Sequence, residues 1–182
     1  MGLTKMVVWR NLREPGMSNE SQIFQQSIYI NAPLKTVERT IVDRTLMHRW
    51  LNPLLACESI GEWTTEVGSQ FRFYLKIPLL QPTLQATVVE RQPGLVVWQF
   101  SGFFEGSDRW QCSPESSGTR LLNCFEFQIS NPLVAFGFNT LAASLTRSDM
   151  QTQLQRLKQI AEDLSAANLN DSVVQRPKSP PG

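Results

Sequence analysis

The chain has 182 residues, 41% apolar and 18% charged, with a net charge of +1. That length fits one domain, large enough to bury roughly 70% of its unfolded surface without staples. Scattered, balanced charge excludes a basic stripe for nucleic acid, and no run approaches the ~18 apolar residues that would span a bilayer.

Residues 1–16 alternate Leu3, Met6, Val7, Val8, Trp9 and Leu12 loosely with Lys5, Arg10 and Arg13. This stretch is too short and interrupted for a signal peptide. It reads as a disordered extension, with an interfacial anchor as the alternative. Residues 1–21 are therefore set apart from a single folded domain over 22–167.

Gln22–Asn31 alternates Phe24, Gln26, Ile28 and Ile30 against polar neighbours, which is the period of a strand. Pro33 then suits a helix start, because its missing N–H would be unpaired there anyway. Leu34, Val37 and Ile41 share one face of a helix ending near Asp43. A second short helix, Leu46–Leu51, turns Leu46, Met47, Trp50 and Leu51 inward and stops at Asn52-Pro53.

Six strands follow, over Leu54–Gly61, Gln70–Ile77, Thr83–Arg91, Leu95–Ser101, Phe104–Cys112 and Arg120–Ile129. Their apolar residues fall on one parity, as in an antiparallel sheet with one wet face. From Pro132 to about Ala167 the period becomes helical. Val134, Phe138, Leu141 and Leu145 carry the stripe, and Met150, Leu154, Leu157, Ala161 and Leu164 resume it. The stripe resumes after a one-residue slip, and a bend is expected near Thr146–Asp149. The helix would be about 50 Å long, enough to cross a whole curved sheet. Residues 168–182 hold Pro177, Pro180 and Pro181 and read as a disordered tail.

If neighbouring strands pair antiparallel, alternate connections gather at opposite ends of the sheet. One end collects the polar turns Gly61–Gly68, Gln92-Pro93-Gly94 and Pro114–Gly118. The other collects Pro78-Leu79-Leu80, Phe103-Phe104 and Leu133-Val134-Ala135-Phe136. Apolar loops at one rim mark a cavity mouth, a membrane-touching edge, or a small core of loops covering one another.

Chemistry-bearing residues are few. Cys57, Cys112 and Cys124 are odd in number and lack motif spacing, so they read as reduced interior thiols. With His48 as the single histidine, neither a metal site nor a cofactor is expected. Gln26, Asn123 and Asp108 are polar residues on inward parity. Asn123 sits between Leu121 and Phe125, so it is a group that orients a ligand, a satisfied core amide, or a residue turned outward by a bulge. Asp43-Arg44 and His48-Arg49 read as a solvated charged cluster. No nucleophile motif or phosphate-cradling loop is present, and no catalytic residue is assigned.

Several local runs carry a resemblance. Ile28-Tyr29-Ile30-Asn31-Ala32-Pro33 with Val37, and Trp50, are among them. So are Glu58-Ser59-Ile60-Gly61 with Val67-Gly68-Ser69-Gln70-Phe71, Val89-Glu90-Arg91-Gln92-Pro93-Gly94 with Val97-Trp98, and Gly118-Thr119-Arg120-Leu121. With the element order, they resemble the START-like helix-grip superfamily (SRPBCC) over about Gln22 to Ala167. The closest branch is the polyketide cyclase/dehydrase and lipid-transport group. The resemblance implies an α+β helix-grip fold, a curved antiparallel sheet wrapped around a long C-terminal helix with a hydrophobic cavity between them. It implies a small hydrophobic ligand such as a lipid, quinone, polyketide or pigment. The expected lining is Phe71, Phe73, Trp98, Phe100, Trp110, Asn123, Phe125, Phe127, Phe138 and Leu141. The expected mouth is Leu79, Leu80, Phe103, Phe104, Leu133 and Phe136. A cytoplasmic carrier leads this reading, with transient membrane contact through the rim. A cyclase or dehydratase, or a module docking a partner or membrane, stand as alternatives.

Overall fold

Alternation of period two builds the sheet, and the computed structural model describes residues 21–76, 83–102, 104–128 and 143–174. Strand β1 (Gln22–Ile30) is followed by helices α1 (Leu34–Val42) and α2 (Arg44–Trp50). Strands β2 (Leu55–Ile60), β3 (Gln70–Leu75), β4 (Thr83–Gln92), β5 (Leu95–Gly102), β6 (Glu105–Glu115) and β7 (Gly118–Gln128) come next. Helix α3 covers Ala143–Val174. It runs unbroken through residues 146–149, and it continues past Ala167, where the helical periodicity ends. The expected extension over 1–16 lies outside the described residues, as does much of the expected tail.

All seven strands form one antiparallel sheet in the order β1-β7-β6-β5-β4-β3-β2. The last strand thus returns to pair with the first, in the register Gln26↔Asn123 and Ile28↔Leu121. The meander confirms that alternate connections leave at opposite ends. Gly102, Glu105 and Gln128 sit at one end, as do the chain ends flanking residues 77–82. The polar turns sit at the other. At one of these, Gly94 takes φ +76°, and a Cβ there would come within 2.8 Å of the Cys112 carbonyl oxygen. Only glycine accepts that turn without strain. In β4 the register slips between Val88 and Glu90, a bulge that turns Val89 out to solvent.

Inward parity carries the core. Phe24, Ile30, Phe71, Val88, Leu121 and Phe127 are buried with Val37 and Ile41 of α1 and Leu157 and Ala161 of α3. Helix α3 packs against α1, α2 and β1. Two polar clamps fix its position. Lys158 Nζ donates to the Tyr29 carbonyl at 2.8 Å, and Asn31 N–H donates to Glu162 Oε1 at 2.7 Å. Lys158 and Glu162 also pair with each other at 2.7 Å.

Tryptophans tie the small helices down. Trp50 Nε1 donates to the Thr40 carbonyl at 2.8 Å in the core, and Trp63 Nε1 to the Val42 carbonyl at 3.0 Å. Both carbonyls belong to the last turn of α1, where no intrahelical donor is available. Trp50→Phe keeps a ring but orphans the Thr40 carbonyl. It should cost about 1–3 kcal/mol in urea denaturation, and an unchanged midpoint would show that this tie is dispensable.

Candidate functional site

The interior is not solid. Beneath α3, a cavity of about 470 Å³ is bounded by sheet rings on one side and helical side chains on the other. Phe73, Leu84, Ala86, Trp98, Phe100, Phe125 and Phe127 supply the sheet wall, with Trp110, Asp108 and Asn123 deeper in. Met47, Trp50, Leu51, Asn52 and Leu55 close the α2 side, and Asp149, Met150 and Gln153 look down from α3. Phe104 also faces this space, edge-on to Phe100 at 6.2 Å and tilted against Phe127 at 5.4 Å. Phe100 and Phe125 stack at 5.1 Å with planes 16° apart, which makes a flat aromatic wall.

Position along the sheet follows from register. Phe127 pairs beside Gly106, near the sheet end where β5 gives way to β6, whereas Asn123 is opposite Trp110. Four residues along a strand at about 3.3 Å each place Asn123 roughly 13 Å further along β7 than Phe127, toward the end with the polar turns. The rings Phe100, Phe125 and Phe127 thus lie toward one sheet end, and the polar Asp108 and Asn123 follow toward the other, beside Trp110.

These polar residues form one connected group. Asp108 accepts from Trp110 Nε1 at 2.7 Å on one carboxylate oxygen and from Asn123 Nδ2 at 2.6 Å on the other. Asn123 is 2% exposed and also reaches the Arg109 carbonyl at 3.3 Å. It is therefore both a satisfied core amide and part of the cavity wall. Among the described residues, no cation pairs with Asp108. Burial pushes its carboxyl up to about 6, although the two donated hydrogen bonds pull the other way. Above it, Asp149 accepts from Gln153 Nε2 at 2.6 Å and lies 3.7 Å from Arg156 Nη2. Gln26, opposite Asn123 on β1, is buried with neither amide atom hydrogen-bonded among the described residues.

Most of the sequence-derived lining residues meet at this cavity. Phe71 does not. It packs in the core under Trp63, with ring centres 5.1 Å apart. Phe138, Leu141, Leu79, Leu80, Phe103, Leu133 and Phe136 lie outside the described residues. Sequence reasoning missed the α2 side and the polar side chains of α3. In the chain, Met47, Trp50 and Leu51 show only as an inward stripe, and Asp149 and Gln153 have no stripe to announce them.

The other expected groups stand elsewhere. Asp43 Oδ1 caps α2 through the Leu46 N–H at 3.0 Å, so it is not a partner of His48. His48 contacts the Arg44 carbonyl through Nδ1 at 2.7 Å and the Cys57 carbonyl through Nε2 at 3.0 Å. Cys57, Cys112 and Cys124 are free thiols. Burial pushes Cys57 and Cys112 up to about 12, so neither is a thiolate near neutral pH. No cluster of metal-ligating side chains is found among the described residues. A larger depression, about 580 Å³, lies on the outer sheet face among Gln85, Thr87, Gln99, Ser107 and Glu126. Its mostly hydrophilic walls are those of a wet groove rather than an apolar ligand site.

A curved antiparallel sheet closed by a long C-terminal helix over a ring-lined hollow defines a helix-grip protein. Residues 21–162 match the family described as polyketide cyclase / dehydrase and lipid transport, and the chain belongs to that family. Solved structures agree on the fold. A protein from Chromobacterium violaceum is 15% identical with a TM-score of 0.60, covering 77% of this chain and 96% of its own. One from Thermus thermophilus is 17% identical with a TM-score of 0.60, covering 79% and 99%. A protein of unknown function from Staphylococcus aureus is 8% identical with a TM-score of 0.64, covering 82% and 98%. At such identities the likeness concerns the fold alone. Among curated proteins, none is similar enough in sequence to count as a match.

The Asp108 carboxyl has a pH signature. Its folded value of about 6 exceeds the ordinary 3.8, so the folded state holds the proton more tightly. That contribution is fully present below pH 3.8 and is lost as pH rises through about 6. Asp108→Asn should remove a dependence on the order of 2–3 kcal/mol from urea-derived stability between pH 4 and 7.5. Parallel stability profiles for variant and wild type would show that burial does not strain this carboxyl.

Proposed function

We propose that this protein binds and carries a small apolar ligand in the cavity under α3. The supporting observation is the cavity itself: about 470 Å³, walled by phenylalanine and tryptophan rings, with a few convergent polar groups at its depth. This is the size and make-up of a small-molecule site. Removing apolar area from water drives such binding at ~25 cal/mol per Å², before ordering costs. Family membership supports the same reading, because the family's description includes lipid transport.

A second reading draws on Asp108. A carboxyl pushed up to about 6 inside a largely apolar hollow is the kind of group a cyclase or dehydratase uses as acid or base. The two readings separate cleanly. An enzyme loses turnover of a polyketide-like substrate in Asp108→Asn while keeping affinity, whereas a carrier has no turnover to lose. Phe104 gives little support to a rim that docks a membrane, since its ring faces the cavity.

Ala86 offers the direct test. It is 3% exposed and on the cavity wall, so Ala86→Phe puts a ring where the ligand would sit. Protein purified from its native host should release an apolar compound on organic extraction, seen as a bound mass in native mass spectrometry. Ala86→Phe should lower affinity for that compound at least tenfold, which is about 1.4 kcal/mol. A protein that carries nothing and takes up no apolar compound offered to it would end the carrier reading.

A further inference from the structure

The cavity contains a charge that the protein itself leaves incompletely matched. Asp108 takes one hydrogen bond on each carboxylate oxygen, both from neutral donors, Trp110 Nε1 and Asn123 Nδ2. Each oxygen has two acceptor positions, so one on each is left over. Buried charges are normally paired or fully hydrogen-bonded. Yet no Lys, Arg or His is among the described residues lining this cavity, and Asp149 adds a second carboxylate. Arg156 lies near Asp149 at 3.7 Å but is not on the cavity wall. Asp149 is already paired with Arg156, but an anionic ligand end would meet the Asp108 carboxylate with no cation among the described lining residues to offset it. A ligand end with a proton to donate would meet the spare acceptor positions of Asp108.

Resting on the carrier reading above, we propose that Asp108, held by Trp110 and Asn123, selects ligands by their polar end. It takes apolar ring compounds that end in a hydrogen-bond donor, a hydroxyl, phenol or amine, and it rejects carboxylates. Trp110 and Asn123 are positioning residues, because each fixes one carboxylate oxygen and leaves the other lone pairs toward the cavity. The stacked Phe100–Phe125 wall suits a flat fused ring for the apolar body. This excludes free fatty acids as preferred cargo.

The test uses the full chain and three anthracenes substituted at the same ring position, carrying a hydroxyl, a methoxy or a carboxylate group. Binding is read by quenching of tryptophan fluorescence. Wild type should bind the hydroxyl compound roughly 10- to 100-fold tighter than the methoxy compound, the worth of a hydrogen bond to a charged acceptor. The carboxylate should bind more weakly than the methoxy compound. In Asp108→Leu the hydroxyl preference should fall to within about threefold. In Asp108→Asn, which keeps the shape, the carboxylate should gain about tenfold over wild type. Because wild type alone shows the ranking, the test survives a variant that does not fold. Equal binding of the hydroxyl and methoxy compounds, or preferred binding of the carboxylate, overturns the selectivity while leaving the carrier reading intact. Binding of none of the three overturns both.

Discussion

The structure depends on how α3 is held off the sheet. Among its described contacts, α3 packs against α1, α2 and β1 rather than on the middle strands. Lys158 and Glu162 fasten it to the end of β1 through the Tyr29 carbonyl and the Asn31 amide. Leu154, Leu157 and Ala161 are buried along the same stretch. Pinned at that side of the sheet, α3 stands over the cavity through Asp149, Met150 and Gln153. Inner-face residues of β3 to β7 are left lining a space, and rings only partly fill it.

Enclosure in that space makes one carboxylate matter. In water Asp108 would be an ordinary solvated acid. Here burial raises its proton affinity, while Trp110 and Asn123 keep it in a fixed orientation. Fold and site are thus coupled through packing. The Trp110 ring that donates to Asp108 also packs on Trp50 of α2, with centroids 5.2 Å apart. Trp50 in turn is tied to α1 through the Thr40 carbonyl. The wall that positions the polar depth of the cavity is the wall that holds the small helices in place.

Much of this was legible in the chain. Period-two runs fixed the strands and which side chains point inward, because successive residues in a strand must alternate faces. The meander followed from short connections, and with it the gathering of alternate connections at opposite ends. Asp108 and Asn123 were visible as polar residues on inward parity. Other features were misplaced or invisible. Phe71 has the same parity as Phe73, but it sits nearer the end of the sheet that Trp63 covers. Parity says which face a residue is on, not what lies over it. Asp149 and Gln153 flank the apolar stripe of α3, and a stripe reading treats such flanks as solvated.

The sequence by itself determined the element order, the wet and dry faces of the sheet and the family, since these rest on local periodicity and short-range turn chemistry. Only the tertiary structure decided that the dry face is partly empty, that Asp108, Asn123 and Trp110 form one hydrogen-bonded group, and that a second carboxylate looks onto it from α3. Those facts join residues from β6, β7 and α3. Their meeting depends on strand register and on the standoff of a helix, and neither is recorded in any single stretch of chain.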